Sequence, residues 1–135
     1  MADLSPTGVK LVSGPTGWLT AGEAITEGEC LYENSADGKA WLAIATSLNA
    51  AEAIGIALAA AAADQPIQYA KPGAIVDMGA GTQGLVYFVG GTAGAISPHT
   101  DPTTPASTEY STIATIARAN NYHLVVCAKS KAAVA

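Results

Sequence analysis

The sequence predicts a mostly β, small single-domain β-barrel or β-sandwich, on three observations. Short apolar runs recur at even spacing, clusters of Gly, Pro, Asn and Asp separate them, and hardly any stretch carries helical periodicity. At 135 residues the chain suits one domain. Half of it is apolar, yet aromatics make up only 6% and Ala dominates, so each core position buries little area. A core this thin gains from oligomerisation or from docking on a partner.

Residues 1 to 20 read as an extended N-terminal arm, rich in Pro, Gly, Ser and Thr, with one alternating run from Val9 to Val12. Trp18 and Leu19 are expected to anchor its end. Residues 21 to 130 form the β-rich body, and 131 to 135 a flexible tail. In the body, Glu27-Gly28 marks a turn before Leu31 and Tyr32. Asp37-Gly38, the strongest short hairpin signal, joins that run to a strand over Ala40 to Ala45. Thr46 to Ala53 is the one helix candidate, with Ser47 or Asn49 as cap and Glu52 three residues after Asn49.

From Ile54 to Met78 the pattern predicts a three-stranded meander: Ile54 to Leu58, a middle strand around Ile67 to Tyr69, and Ala74 to Met78. Ala is the best helix former, so propensity alone carries the preceding helix on to Ala63. Gly55 and the β-branched Ile54 and Ile56 weigh for strand. Ala59 to Gln65 makes a tight turn before Pro66 forces extension, and Lys71-Pro72-Gly73 has the residues of a type II turn. Leu85 to Val89 is a plain strand followed by a turn at Gly90 to Gly94. A Pro-rich loop runs from Ser97 to Ser107, and two strands, Ser111 to Ala117 and Tyr122 to Ala128, close the chain around an Asn-rich turn. The total is eight to ten strands.

Charge and motifs narrow the function classes. Eleven acidic and six basic residues leave a net charge of −5, and Arg118 is the only Arg. Nucleic-acid binding needs clustered Lys and Arg around phosphates, so no nucleic-acid partner is expected. No membrane partner is expected either, since neither a leader-like N-terminus nor an unbroken run of about 18 apolar residues occurs. Cys30 and Cys127 read as two buried reduced thiols. His99 and His123 have no carboxylate or Cys at a recurrent spacing, no Gly-x-Ser-x-Gly occurs, and the glycine runs lack the Lys-Ser/Thr ending of a phosphate loop. No catalytic, cofactor-binding or metal residue is nominated, no cofactor is expected, and the chain reads as a non-enzyme.

One local motif resembles a known module. Glu27-Gly28-Glu29 with Leu31, Tyr32 and Glu33, then Asp37-Gly38-Lys39-Ala40, is similar to half of a lipoyl or biotinyl carrier domain, in which a hairpin-tip Lys accepts the cofactor. Gly38 stands where such domains place Asp or Met, and the chain is much longer than one.

A broader resemblance spans about residues 20 to 128. It rests on four stretches: Ala21 to Gly28 with Leu31-Tyr32; Gly38-Lys39-Ala40-Trp41-Leu42-Ala43; Ile54-Gly55-Ile56-Ala57-Leu58 with the Ala run and Gln65-Pro66-Ile67; and Gly94-Ala95-Ile96-Ser97-Pro98 leading to Ile113-Ala114-Thr115-Ile116-Ala117. Together these resemble the small bacteriophage capsid decoration, or cement, proteins, with Asp64 standing where the pattern has Gly. The resemblance implies a β-rich virion protein, assembled in the host cytoplasm, that binds the outer surface of the head. It would bridge and stabilise neighbouring copies of the major capsid protein, often as a homotrimer. It carries over no site residues. The expected capsid and trimer contacts are therefore read from the arm and the Pro-rich loop: Leu4, Val9, Leu11 and Trp18, then Pro98, His99, Pro102 and Pro105. The alternative is a carbohydrate- or receptor-binding head-fibre or tail module, which would want exposed aromatics for stacking on sugar faces.

Overall fold

The computed structural model describes residues 3–47, 49–98 and 110–133, with the backbone alone at 110, 111 and 129–133. Among the described residues there are eleven strands and no helix. They are β1 (Lys10–Ser13), β2 (Thr16–Thr20), β3 (Cys30–Glu33), β4 (Ala40–Leu42), β5 (Ala53–Ala57), β6 (Pro66–Ala70), β7 (Ile75–Asp77), β8 (Val86–Val89), β9 (Ile96–Pro98), β10 (Tyr110–Ala117) and β11 (Tyr122–Ala133). They build two antiparallel sheets, a sandwich in outline, with orders β1-β7-β11-β10-β8-β9 and β2-β6-β5-β3-β4.

The main core lies between the sheets. Cys30, Ile56 and Ala70 from the five-stranded sheet meet Val76, Tyr87, Val89 and Val125 from the six-stranded one. Thr112 Oγ1, fully buried on β10, donates to the Ala51 carbonyl at 2.6 Å and so ties the layers together. A second, smaller core sits on the other face of the five-stranded sheet. There Leu31, Ala57, Ile67 and Tyr69 are covered by Ala21, Ile25 and Ala61. That sheet curls until Ala21, just past β2, makes a single parallel bridge to Ala40 on β4. One bridge is not a ladder, so the sheet curls without closing into a barrel. Alanines and glycine make the curl feasible: a Cβ at Gly55 would run into the Ala70 carbonyl on the neighbouring strand.

Several local expectations match. The β3–β4 hairpin turns at Asp37-Gly38. Gly73 sits at φ +96° and Ala74 N donates to the Lys71 carbonyl, the geometry a type II turn with Pro second and Gly third requires. Ile54 and Ile56 lie in a strand, and Asp64, where the pattern has Gly, holds a left-handed φ of +68°. Asp tolerates that conformation better than most side chains.

Four expectations are corrected. The helix over Thr46 to Ala53 is a single turn: Ala51 N donates to the Ser47 carbonyl, and the chain then passes into β5. The next two amides bond at shorter spacing than a helix uses, Glu52 N to the Asn49 carbonyl and Ala53 N to that of Ala51, which also accepts from Thr112 Oγ1. The three-stranded meander is a two-stranded pairing of β5 with β6, because the Lys71-Pro72-Gly73 turn is a corner that sends β7 into the other sheet. The N-terminal arm holds two strands, each laddered to the body, β1 on β7 and β2 on β6. Ahead of them, Leu4 N donates to the Ile96 carbonyl, Thr7 N to that of Met78, and the Ser97 hydroxyl donates to Asp3 Oδ1. Finally, β11 runs through Ala133, into the segment expected as tail.

Candidate docking surfaces

The residues nominated from the sequence separate into buried and exposed sets. Val9 and Pro98 are buried, and Leu4 packs half-buried against the main core, so these three support the fold. His99, Pro102 and Pro105 lie outside the described residues. Leu11 and Trp18 face solvent, at 39% and 63% exposure. The expected anchoring of the arm's end is therefore corrected: Leu19 packs on the second core, while Trp18 points away from it. Alternation along β2 explains the split, since adjacent residues of a strand face opposite ways.

Trp18 is opposite Gln68 on β6, and Gln68 Nε2 donates to Thr16 Oγ1 at 3.4 Å, so the indole stands on a small polar platform. Val12, next to Leu11, is 46% exposed. The strands β1 and β2 are consecutive and each is the outermost of its sheet, and they carry Leu11, Val12 and Trp18 exposed.

A second surface was not nominated from the sequence. On the outward face of the six-stranded sheet, register rows align Val86 with Ile116, Leu124 and Ile75, and Phe88 with Ile113. These six are half-buried and belong to neither core. Tyr122, 43% exposed, stands at the end of the face in one row with Asp77 and Lys10. The signal was in the sequence: Leu85 to Val89 and Leu124 to Val126 are unbroken apolar runs. In an antiparallel sheet with one wet face, alternation is the norm, so such runs mark a strand that is apolar on both sides.

Among the described residues, no buried side-chain nitrogen or oxygen lacks a hydrogen-bond partner. At the β3–β4 hairpin, Lys39 Nζ donates to Asp64 Oδ1 at 2.7 Å, and Trp41 Nε1 donates to Asp37 Oδ2 at 3.2 Å. The Asp64 hydrogen bond, and then its charge, hold the Lys39 ammonium above its ordinary value, which disfavours the neutral amine needed for acylation. His123 is fully buried. The Ala80 carbonyl can only accept, so Nε2–H donates to it at 2.8 Å, and Nδ1 then accepts from the Thr115 hydroxyl at 2.9 Å. Burial pushes the imidazole below its ordinary value and keeps it neutral.

Cys30 and Cys127 are free thiols. Burial pushes Cys127 up to about 12 and raises Cys30 well above its ordinary value, with the neighbouring Cys127 adding to the Cys30 shift. Thiols held this far from thiolate are poor nucleophiles. A cleft of about 260 Å³ lies between Leu4 and Pro6, the Thr26 to Glu29 turn and the Thr92 to Ile96 segment. Glu29 in it is occupied locally, accepting from Thr26 N at 2.7 Å. Among the described residues no group of three or more His, Cys, Asp and Glu is placed to hold a metal ion. No protein-family model and no curated protein matches the chain.

Proposed function

We propose that this chain is a structural capsid decoration protein of a bacteriophage, which binds the outer surface of the head and bridges neighbouring major capsid proteins. The observation that carries the reading is the exposure of Leu11, Val12 and Trp18 on β1 and β2, each the outermost strand of its sheet; among the described residues they are three of the four most exposed large apolar side chains. A protein that cements a shell needs a folded body and a modest apolar contact repeated many times, because multivalent weak contacts add up along a lattice. A large exposed aromatic such as Trp18 is the residue type of an interface anchor. The net charge of −5 disfavours contact with packaged DNA.

The test is co-sedimentation with undecorated heads. Because β1 completes the sheet edge on β7, deleting the first residues would disturb the fold, so point changes are the cleaner probe. Saturable binding at a fixed number per head, reduced at least about tenfold by Trp18→Ala with the melting temperature unchanged, is the expected result; a tenfold loss is about 1.4 kcal/mol, ordinary for an interface anchor. Wild-type protein left in the supernatant with its matching heads would end the proposal.

Trp18 also favours a second reading. An exposed indole flanked by Thr16, Thr20 and Gln68 suits stacking on a sugar face with hydrogen bonds at its rim, as in a head-fibre or tail module. Glycan-array binding abolished by the same Trp18→Ala change would select it.

A further inference from the structure

We infer that the Gly79 to Gly84 loop is an acid-sensitive latch at one end of the sandwich, held shut by neutral His123 and released when that ring takes up a proton. The inference stands on how the loop is held and does not depend on what the protein decorates.

The loop joins β7 to β8 and lies over the buried imidazole. His123 Nε2–H donates to the Ala80 carbonyl at 2.8 Å, and a Cβ on Gly81 would stand 2.5 Å from the same nitrogen, so the backbone of these two residues is the ring's cover. The Tyr87 ring stands 5.1 Å from the imidazole, tilted by 51°, and its hydroxyl accepts from Thr82 N at 3.0 Å. One imidazole and its aromatic neighbour therefore close on three consecutive residues. Further ties run from Gly79 N to Asp77 Oδ1, from Gln83 N to Asn120 Oδ1 and from Gly84 N to the Ala117 carbonyl.

Hydrogen bonds hold this loop, and core packing does not. None of residues 79 to 84 belongs to either core, and Thr82, Gln83 and Gly84 are exposed. A segment with few buried apolar contacts opens at a lower free energy than the sheets beneath it. Opening uncovers His123 and Tyr87 while the strand ladders stay in place.

In the closed loop the ring has no counter-charge to meet a proton. It packs against β7 through its ladder partner Val76, against β10 through Thr115, against β8 through Tyr87 and, across Gly81, against the Asn120 backbone. The Tyr87 phenol is the titratable group among these, and it brings no counter-charge. Burial sets the lowered proton affinity of the ring, opposed by the Ala80 bond, with no contribution from Asp77 at the end of β7 or Arg118 just past β10. A proton arriving at Nδ1 obliges the Thr115 hydroxyl to turn from donor to acceptor and leaves a charge out of reach of water. With the loop swung away, water reaches the ring, which then titrates near its ordinary value of about 6.5. Protons thus favour the open form. Between pH 7 and pH 5 that preference multiplies the opening equilibrium by up to about 25-fold.

The experiment is amide hydrogen exchange on the purified full chain from pH 7 to pH 5, resolved by residue and corrected for the pH dependence of the exchange chemistry. Ala57 N, fully buried and bonded to the Glu29 carbonyl in the other sheet, reports global unfolding. Thr82, Gln83 and Gly84 are expected to open far more often than Ala57, and their opening to rise by about 10- to 25-fold over this range. His123→Gln should remove the rise. Loop amides that open only together with Ala57, or equally often at both pH values, overturn the inference, as does a rise that survives His123→Gln. If that variant fails to fold, the wild-type His123 ring signal in nuclear magnetic resonance decides. Ring protonation accompanied by exposure of the Thr82 amide upholds the latch, and a charged ring beneath a protected Thr82 overturns it.

Discussion

The five-stranded sheet wraps its outer face with its own chain, laying Ala21, Ile25 and Ala61 over Leu31, Ile67 and Tyr69, while the six-stranded sheet leaves Ile116, Leu124 and Phe88 half in water. The same kinds of side chain thus end in opposite settings. The difference comes from what lies between the strands. Two connections of the curled sheet, residues 21–29 and 58–65, carry Ala21, Ile25 and Ala61 and lay them across it. Those between β7 and β8 and between β10 and β11, such as Gly79 to Gly84 and Arg118 to Asn121, are rich in Gly and polar residues and have no large apolar side chain to lay over a sheet. A covered face contributes to the stability of the isolated chain; an uncovered one is stability held back until a partner arrives.

The sharpest way to break this contrast is to shorten one side chain in each setting. Ile56→Ala, in the fully buried main core, is expected to cost about 3 kcal/mol, a loss visible as a large drop in melting temperature. Val86→Ala on the outward face should cost under about 1 kcal/mol at low protein concentration. Equal losses by chemical denaturation would show that the outward face is as well packed as the core.

A second test uses neighbours on β11, where His123 faces in and Leu124 faces out. Folding lowers the affinity of His123 for a proton, so below its ordinary value the unfolded chain binds more protons than the folded one. The stability of the neutral ring is therefore complete above that ordinary value, about pH 6.5, and drains away as pH falls through the lower folded value, with a slope of at most about 1.4 kcal/mol per pH unit. Denaturant titrations between pH 7 and pH 5 should show this slope in wild type and lose its histidine part in His123→Gln. An unchanged slope would mean the ring is not held as drawn.

The smallest expected effect concerns how the curled sheet covers itself. Asp64 N donates to the Ala21 carbonyl at the point where the curl comes round, and its φ is left-handed. Asp64→Gly relaxes the backbone and removes the Lys39 contact, so the melt should move by no more than about 1 kcal/mol either way. Asp64→Val, β-branched at positive φ, should be the worse of the two by about 1–2 kcal/mol. If the order reverses, the turn is not what closes the curl.

Local chemistry carried much of this structure into the sequence. Asp37-Gly38 and Lys71-Pro72-Gly73 specify their turns through φ alone, and Gly55 with Ile54 and Ile56 outweighs the helical propensity of the alanines around them. Which sheet a strand joins is a different matter. The residues of the Lys71-Pro72-Gly73 turn fit a hairpin and a corner equally well, so β7 was placed beside β6 when it belongs beside β1 and β11. The helix over Thr46 to Ala53 stops after one turn as Glu52 N and Ala53 N turn back on Asn49 and Ala51, and the Thr112 hydroxyl, 61 positions away, holds the Ala51 carbonyl where the chain enters β5. Of the nominated residues, Leu11 and Trp18 are exposed, Trp18 against the expectation that it anchors the arm's end, because alternation along β2 turns Leu19 inward and Trp18 out. Val9 is not, because the arm's packing on the body is a long-range property. The outward face of β8, β10 and β11 went unread because an apolar run says that both sides of a strand are apolar without saying that one of them is bare.

The pairing of β1 with β7, and of β7 with β11, also sets an order in time. As the chain leaves the ribosome, β1 and β2 have no neighbours until residues 66 to 77 have followed them. The six-stranded sheet then stays open at its centre until β11 is made, since β11 alone joins β7 to β10. Most of its strands are therefore unprotected through most of synthesis, a topology that folds slowly and only after translation is nearly complete. A stop anywhere before Tyr122 would release a chain whose larger sheet is in two halves, a substrate for proteases and not a weaker version of the protein.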